Sequence, residues 1–397
     1  MGMNNTPAAE RIHIGIFGKR NAGKSSLINA LTGQELSIVS DVAGTTTDPV
    51  YKAMELLPLG PVMLIDTPGL DDDTQLGDAR IRKSMQAMNK CDLAVVVVDA
   101  CEGMTELHDQ ICQRLRAKNI PYLIVMNKAD LLAEVPADCA QTYYVSAKNG
   151  TGIYHLKDCI AARKPQEDNS RHIVADLLQP NDTVVLVVPI DSAAPKGRLI
   201  LPQQQTIRDI LEAGAISVVC RDTELKQTLA ALAKPPRMVI TDSQAFGKVA
   251  EIVPRDIPLT SFSILFARYK GELTANVNGV TALDKLQDGD TVLISEGCTH
   301  HRQCDDIGSV KLPKWITEYT GKQLNFAFTS GGEFPDELSP YQLIVHCGGC
   351  MLNAREMKYR LAHAQDEHIP MTNYGILISY THGILQRATE LFDEISF

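Results

Sequence analysis

Short runs of apolar, largely β-branched residues alternate with amphipathic stretches along the N-terminal part of the chain, and this alternation constrains the fold most strongly. The runs span Ile12 to Phe17, Val62 to Ile65, Leu93 to Val98 and Tyr122 to Met126. Strands that are apolar along their whole length are typical of a parallel sheet covered by helices on both faces. We therefore predict a doubly wound α/β domain that ends near residue 165.

The rest of the chain repeats the alternation after a polar, proline-containing stretch at 163–171, which is typical of a linker. The apolar runs predict strands at 184–188, 216–219, 238–240, 261–265, 292–295 and 343–345. Amphipathic spacing predicts helices at 203–213, 224–232, 314–320 and 354–363. These segments predict further α/β structure after the first domain.

A phosphate-binding pattern follows the first apolar run. Gly18 to Ser25 reads G-x-x-x-x-G-K-S and lies between a predicted strand and a predicted helix. In such a loop the backbone N–H groups wrap the phosphates, Lys24 neutralises the β and γ oxygens, and the Ser25 hydroxyl binds Mg2+. The predicted nucleotide contacts of this loop are Gly18, Asn21, Ala22, Gly23, Lys24, Ser25 and Ser26.

Two further segments are typical of the metal and γ-phosphate side of such a site. Asp66 to Gly69 ends an apolar strand, where Asp66 can hold a metal-bound water and the Gly69 N–H can contact the γ-phosphate. Gly44 to Asp48 lies between a helix and a strand, where Thr46 can complete the Mg2+ shell and sense the γ-phosphate. We predict that Lys24, Thr46, Gly69 and Asn21 serve catalysis.

Two other segments indicate which base the site selects. Asn127-Lys128-Ala129-Asp130 ends another apolar strand, and a carboxylate at Asp130 can accept two N–H groups from guanine, which adenine does not offer. The backbone of Ser146-Ala147-Lys148 can donate to the guanine oxygen. These segments predict GTP as the nucleotide.

Together these motifs resemble the translation-factor-related GTPases over residues 10–162, particularly the branch that contains Era and MnmE. Leu70 follows Gly69 where many signalling GTPases have a water-orienting glutamine, so slow intrinsic hydrolysis is expected. The resemblance implies that K+, held in part by Asn21, supplies the missing charge. The catalytic glutamate of the MnmE type has no secure match, with Asp72, Asp73 and Asp78 as weak candidates.

Cysteines and histidines form a second constellation near the C-terminus. Of ten cysteines, Cys298, Cys347 and Cys350 are accompanied by His300 and His346 in Cys-x-His and His-Cys-Gly-Gly-Cys patterns. A C-x-x-C turn can bind one metal ion or two corners of a cluster, and we expect a helix to begin at Cys350. Three cysteines with one histidine fit zinc, and three cysteines fit an iron–sulfur cluster with one open iron. The spacing alone leaves both open.

The combination of a phosphate-loop GTPase domain, a middle α/β segment and this C-terminal cysteine set resembles the HydF family, the maturation GTPases of [FeFe]-hydrogenase. The resemblance implies a 4Fe-4S cluster on Cys298, Cys347 and Cys350, with His300 and His346 as candidate fourth ligands or precursor contacts. It also implies a scaffold that receives a di-iron precursor, made with two radical-SAM enzymes, and delivers it to apo-[FeFe]-hydrogenase. The expected division is a P-loop GTPase domain at 1–165, an α/β homodimerisation domain at 172–265 and an α/β iron–sulfur cluster domain at 266–397.

Composition limits the classes of partner. The net charge of −10 argues against broad attraction to nucleic acid, and no apolar run approaches the ~18 residues of a membrane span. The N-terminal residues have no basic, apolar signal pattern, so a cytoplasmic location is expected. The alternative functions are a zinc-containing GTPase of RNA modification or ribosome assembly, and a regulator that senses redox state through the cluster.

Overall fold

The computed structural model describes residues 6–33, 49–69, 83–163, 172–190, 199–271, 273–297, 306–393 and 395. The chain divides into two compact units, Met1–Glu167 and Asp168–Phe397. The sequence-based division at 1–165, 172–265 and 266–397 stays a prediction.

The N-terminal unit is built on a six-stranded sheet. Its strands are β1 Ile12–Gly18, β2 Val50–Leu56, β3 Gly60–Asp66, β4 Leu93–Asp99, β5 Tyr122–Asn127 and β6 Thr142–Tyr144. Its helices include α1 Lys24–Thr32, α2 Glu106–Ala117 and α3 Ile153–Ala162, and residues 83–88 are also helical. The strand order is β2-β3-β1-β4-β5-β6, with β2 antiparallel to β3 and every other pair parallel.

The two faces of this sheet are both buried, as the apolar runs predicted. Along β4, Val95 and Val97 belong to one core cluster, whereas Ala94, Val96 and Val98 belong to another. Successive side chains of a strand point to opposite faces, so each cluster packs one face of the sheet. The doubly wound α/β architecture is therefore confirmed.

The antiparallel strand β2 was not predicted. Its side chains are mostly exposed or half-buried, with Lys52 and Glu55 among them. An edge strand has one neighbour and needs little apolar surface, so it lacks the continuous apolar run by which the other strands are recognised.

The C-terminal unit contains two four-stranded parallel sheets. The first has the order β10-β9-β7-β8 and the second β12-β11-β13-β14. Their strands are β7 Thr183–Val187, β8 Ile216–Cys220, β9 Met238–Thr241, β10 Leu259–Ser261, β11 Thr291–Glu296, β12 Asn325–Ser330, β13 Leu343–His346 and β14 Met371–Asn373. One core cluster includes Leu186 from the first sheet and Val345 from the second, so the two sheets share a core.

Helices cover these sheets, and several bounds match the sequence-based expectations within a few residues. They are α4 Leu201–Glu212, α5 Leu225–Ala231, α6 Phe246–Ile252, α7 Phe262–Lys270, α8 Leu273–Val280, α9 Leu312–Thr320, α10 Ala354–Asp366, α11 Tyr374–Thr381 and α12 Leu385–Thr389. Short 3-10 or π turns lie at Ala8–Glu10, Ala129–Leu131, Ala175–Leu177, Ser243–Ala245, Thr281–Lys285 and Ile307–Lys311.

Two sequence-based expectations were wrong at the residue level. The strand expected at 261–265 ends at Ser261, whose side chain accepts a hydrogen bond from the Ile264 N–H and caps α7. The helix expected to begin at Cys350 begins at Ala354 instead, because Asn353 caps it by accepting from the Glu356 N–H. In each case a polar side chain satisfies a free helix N–H group and so fixes the start.

None of the helices in the described ranges is both long enough and apolar enough to span a bilayer.

Candidate functional site

The phosphate loop has a backbone shape that only its glycines permit. Gly18 ends β1 with φ +148°, and a Cβ there would lie 2.2 Å from the Val97 carbonyl oxygen. Gly23 precedes α1 with φ +88°, and a Cβ there would lie 2.2 Å from Asn127 Nδ2. Positive φ and such close approaches favour glycine. The two glycines of the motif thus meet a steric requirement of the loop.

Lys24 lies inside the loop. Its side chain is buried, and Nζ donates hydrogen bonds to the carbonyl oxygens of Gly18 at 3.1 Å and Lys19 at 2.7 Å. These carbonyls hold the ammonium where the loop would surround a phosphate. A phosphate oxygen can replace them as a charged acceptor, which makes the stronger hydrogen bond.

The predicted magnesium-side residues meet across the sheet. Ser25 Oγ donates to Asp66 Oδ2 at 3.2 Å, although the two residues are 41 positions apart. The pairing of β1 with β3 sets Asp66 opposite Ile16 and brings its carboxylate to the end of the loop. A hydroxyl and a carboxylate are oxygen ligands suited to Mg2+, directly or through water. Thr46, the third predicted group, lies outside the described residues.

Gly69 packs against the phosphate loop. A Cβ on Gly69 would lie 2.9 Å from the backbone N and Cα of Arg20. Thr67 anchors the segment, because its hydroxyl donates to the Ile16 carbonyl oxygen at 2.6 Å. Leu70 and the candidates Asp72, Asp73 and Asp78 lie outside the described residues.

Asn127 links the phosphate loop to the Ser146–Lys148 segment, which is predicted to contact guanine. Its Nδ2 donates to the Ala22 carbonyl oxygen at 3.0 Å, and its Oδ1 accepts from the Ala147 N–H at 3.0 Å. The side chain is buried. Loss of either bond would leave a buried polar group unsatisfied. One amide therefore fixes the Ser146–Lys148 segment relative to the phosphate loop.

Sequence reasoning missed Asp99, which holds Lys128 in place. Lys128 has φ +64°, and its Nζ lies 2.6 Å from Asp99 Oδ2. Partial burial opposes ionisation of Asp99, but the hydrogen bonds from Lys128 and Cys101 and the charge of Lys128 together lower the pKa of the carboxyl. The available signal was positional, since Asp99 ends β4 opposite Asn127 of β5.

The remaining predicted contacts have the exposure that their roles need. Asp130 and Lys148 are exposed, whereas Ser146 is buried. The Ala129 N–H donates to the Val145 carbonyl oxygen at 3.0 Å, which ties the two guanine-side loops together. Asn21 is exposed on the phosphate loop with φ +59°, and Ser26 lies half-buried in the first turn of α1.

In the C-terminal unit, the Cys347 sulfur lies between two neighbouring strand ends. Its Sγ accepts hydrogen bonds from the Gly297 N–H at 3.0 Å and the Gly349 N–H at 3.4 Å. Gly297 directly follows β11, Cys347 directly follows β13, and these strands are paired. The residue after Gly297 is Cys298, which lies outside the described residues together with His300. The topology therefore brings Gly297, the residue before Cys298, to the Cys347 sulfur.

The chemistry of this loop fits a thiolate-bound metal group. Gly349 has φ +61°, and a Cβ there would lie 2.6 Å from Met357 Sδ, so the Cys347–Cys350 turn requires glycine at this position. Burial raises the pKa of the Cys347 thiol to about 11, against the effect of the two N–H groups. Burial also raises the pKa of Cys350, with Lys270 acting in the opposite sense. Metal binding removes the thiol protons, and N–H groups on sulfur are a feature of cluster sites.

His346 is engaged on both sides of its ring. Nε2 lies 2.9 Å from Nη1 of Arg360, and Nδ1 lies 2.7 Å from the Cys347 carbonyl oxygen. Arginine can only donate, so Nε2 accepts and Nδ1 carries the proton. Burial, followed by the charge of Arg360, lowers the pKa of His346 to about 3. Metal ligation by His346 would require one of these hydrogen bonds to break.

Sequence reasoning also missed two buried cations near this loop. Arg360 contacts His346 from α10, and Lys270 at the end of α7 donates to carbonyls of the Cys347–Cys350 turn and its flank. Neither stands in a recognisable motif. Within the described ranges, no three His, Cys, Asp or Glu side chains converge as a metal ion requires.

Comparison with known proteins matches three family models to successive parts of the chain. The 50S ribosome-binding GTPase model matches residues 13–128, the hydrogen maturase F dimerization domain 173–271, and the hydrogen maturase F tetramerization domain 274–391. The two hydrogen maturase F models together cover more than half of the chain.

Individual relatives match the N-terminal unit. The tRNA modification GTPase MnmE of Nitrosomonas europaea is 38% identical over 153 residues, which are 37% of this chain and 34% of that protein. MnmE of Francisella tularensis subsp. novicida is 38% identical over 164 residues, or 38% of this chain and 35% of that protein. The chain thus spans about a third of the length of the curated relatives it matches.

Among solved structures, a variant of Aquifex aeolicus Era bound to GDP·AlF4− has a TM-score of 0.36 and 20% identity, covering 53% of this chain and 92% of that one. Elongation factor SelB of Methanococcus maripaludis with the GTP analogue GPPNHP has a TM-score of 0.32 and 24% identity, covering 46% of this chain and 39% of that one.

The family models cover both units of the chain, with the GTPase domain first. This chain belongs to the hydrogen maturase F family.

Proposed function

We propose that this protein is a GTP-hydrolysing scaffold of hydrogenase maturation that carries a 4Fe-4S cluster and delivers a di-iron precursor to apo-[FeFe]-hydrogenase. The observation that carries the proposal is the Cys347 sulfur, which accepts hydrogen bonds from the N–H groups of Gly349 and of Gly297, the residue before Cys298, in a family that matures hydrogenase. The GTPase domain ahead of them supplies a nucleotide-dependent step.

GTP binds with its phosphates in the loop around Lys24. The ammonium exchanges the two backbone carbonyls for phosphate oxygens, while Ser25 and Asp66 would hold Mg2+, directly or through water. Mg2+, when bound, neutralises charge on the phosphate oxygens. The Gly69 backbone N–H contacts the γ-phosphate, and hydrolysis removes this contact.

Hydrolysis is slow in the isolated protein and is stimulated by K+. The exposed Asn21, on the left-handed turn of the phosphate loop, is the predicted K+ contact. The test compares steady-state phosphate release in KCl and in NaCl at equal ionic strength, for the native protein and an Asn21→Ala variant. Equal native rates in the two salts would refute the role of K+.

The cluster binds to Cys298, Cys347 and Cys350. Three cysteines leave one iron of a 4Fe-4S cluster available to a further ligand, for which His300 and His346 remain the predicted candidates. The two N–H groups on Cys347 Sγ favour the thiolate form in which the sulfur binds iron.

Anaerobic reconstitution with iron and sulfide tests the cluster. Native protein is expected to gain broad visible absorption. It should also bind iron and acid-labile sulfide in equal molar amounts. A triple Cys298, Cys347 and Cys350 to Ala variant should gain neither, and a matched variant with Ala at the free cysteines Cys101, Cys139 and Cys159 should behave as native. Colourless, zinc-loaded protein would instead favour the zinc-containing GTPase of RNA modification or ribosome assembly.

The partners follow from the same proposal. The dimerization and tetramerization domains support self-association, and we assign the homodimer contact to residues 172–265. The other proposed partners are two radical-SAM enzymes that make the precursor and the apo-hydrogenase that receives it. Light scattering of native protein tests the homodimer, and a monomer at all concentrations would refute it.

A further inference from the structure

A buried lysine clamps the turn that carries Cys347 and Cys350. Lys270 is the last residue of α7 and is 4% exposed. Its Nζ donates to the carbonyl oxygens of Gly349 at 3.1 Å, Cys350 at 3.3 Å and Leu352 at 2.9 Å. A lysine ammonium has three N–H groups, and here three carbonyls of one short segment converge on it.

The same turn connects this clamp to the Cys347 sulfur. Gly349 uses its carbonyl on Lys270 and its N–H on Cys347 Sγ. Its φ of +61° lies in the left-handed region, which glycine adopts without strain. Lys270 therefore fixes the peptide groups that set the distance between the amide and the sulfur.

Lys270 also supplies a positive charge at this depth. Lys270 is buried, and its Nζ also lies 5.6 Å from the Phe266 ring centroid, a cation–π distance. Charges interact more strongly in such surroundings than in water. A cluster held by three thiolates is anionic, and one added electron makes it more so. A fixed cation beside it stabilises the reduced form more than the oxidised form.

We propose that Lys270 is a positioning residue for the iron–sulfur cluster, which holds the Cys347–Cys350 turn in its ligating shape and raises the reduction potential of the cluster. The inference rests on the proposed function, because it requires a cluster on these cysteines. It assigns a role to a residue on α7, about eighty positions before the turn.

The test uses full-length protein reconstituted anaerobically, with Lys270→Met, Lys270→Gln and Lys270→Arg variants. Loss of a residue that supports the metal ligands typically reduces metal affinity ~10- to 100-fold, so Lys270→Met should lose its cluster to a chelator at least ~10-fold faster than native protein. Its potential should shift to a more negative value. Lys270→Gln retains N–H donors without charge and should share the negative shift, whereas Lys270→Arg should stay near the native potential.

Arg387→Met is the matched control. Arg387 is also buried, and it donates to the carbonyl oxygens of Ala250, Val253 and Pro254, in a segment without cysteine. This variant loses a similar clamp, so it should lose stability but keep the native potential and cluster loss rate.

The outcomes separate the inference from the proposed function. If native protein binds no iron–sulfur cluster, the proposed function fails. If native protein holds a cluster and Lys270→Met has the native loss rate and potential, the inference is overturned. If Lys270→Met does not fold, the Gln and Arg variants decide, and equal potentials in these two would overturn the inference.

Discussion

Replacing Arg360 with methionine tests whether the buried ionic network beneath the cysteine loop is a structural element. The guanidinium donates to Glu356 Oε1 at 2.6 Å and to the Gly331 carbonyl oxygen at 3.0 Å, besides its contact with His346. The Arg360 and Glu356 side chains are 1% and 7% exposed. Water can therefore replace neither partner.

The expected loss of stability follows from this burial. Methionine keeps most of the apolar stem but leaves the Glu356 carboxylate buried without its cation. Breaking a buried pair in this way costs about 3–5 kcal/mol. Arg208→Met is the matched control, because Arg208 and Glu212 form an i,i+4 pair in the same unit with side chains 76% and 58% exposed. Such a surface pair contributes about 0.5 kcal/mol or less.

Tryptophan fluorescence measures the effect in the relevant unit. The chain has one tryptophan, Trp315, which packs against the core of the C-terminal unit. With a urea dependence of about 1–3 kcal/mol per molar, the Arg360→Met midpoint should fall by at least ~1 M. The Arg360→Met and Glu356→Leu double variant should recover part of this loss, since both charges are gone. An Arg360→Met midpoint equal to that of Arg208→Met would refute the reasoning.

Three further predictions concern the N-terminal unit. Asp130→Asn replaces a carboxylate, which only accepts hydrogen bonds, with an amide, which donates one and accepts another. In competition titrations the affinity for GTP should therefore fall and the affinity for xanthosine triphosphate should rise. An unchanged preference between the two nucleotides would exclude Asp130 from base recognition. Gly23→Ala forces a Cβ towards Asn127 Nδ2 and strains the phosphate loop by about 1–3 kcal/mol. Because of this strain, nucleotide affinity should fall at least ~10-fold in a fluorescent-nucleotide titration. Native affinity of this variant would contradict the loop geometry. Burial lowers the pKa of His13 from 6.5 to about 4, so the unfolded state binds more protons between these values. The stability present above pH 6.5 should be lost towards pH 4, by up to about 3 kcal/mol. Hydrogen exchange in β1, corrected for intrinsic rates, measures this loss, and a His13→Leu variant with the same pH dependence would refute the assignment.

Several segments of the predicted nucleotide site could be located from the sequence because they follow strand ends. Parallel strands end at one edge of the sheet, so the Asp66 and Asn127 segments had to meet the phosphate loop. The continuous apolar runs of β1, β3, β4 and β5 identified those strands directly. The edge strand β2 was not predicted because its sequence, with mostly exposed side chains, contains no continuous apolar run.

Contacts between side chains and distant backbone could not be predicted in this way. The Lys270 clamp depends on how α7 packs against the turn after β13, and no spacing in the sequence encodes that contact. The Asp99–Lys128 ion pair could not be predicted for a related reason, because an aspartate at a strand end can have many different partners. The start of α7 at Phe262 was missed because Ser261 was placed in a predicted strand rather than at a helix cap. The start of α10 at Ala354 agrees with the helix predicted at 354–363, whereas the separate expectation of a helix from Cys350 was wrong.

Activation of apo-[FeFe]-hydrogenase by this protein, reconstituted with its cluster and loaded with a synthetic di-iron precursor, tests the central claim most directly. The expected result is hydrogen evolution that requires the precursor and is lost in the Cys298, Cys347 and Cys350 to Ala variant. The Cys101, Cys139 and Cys159 to Ala variant should activate as native protein does. Absence of activation by protein whose cluster is intact and whose precursor is bound would contradict the carrier function.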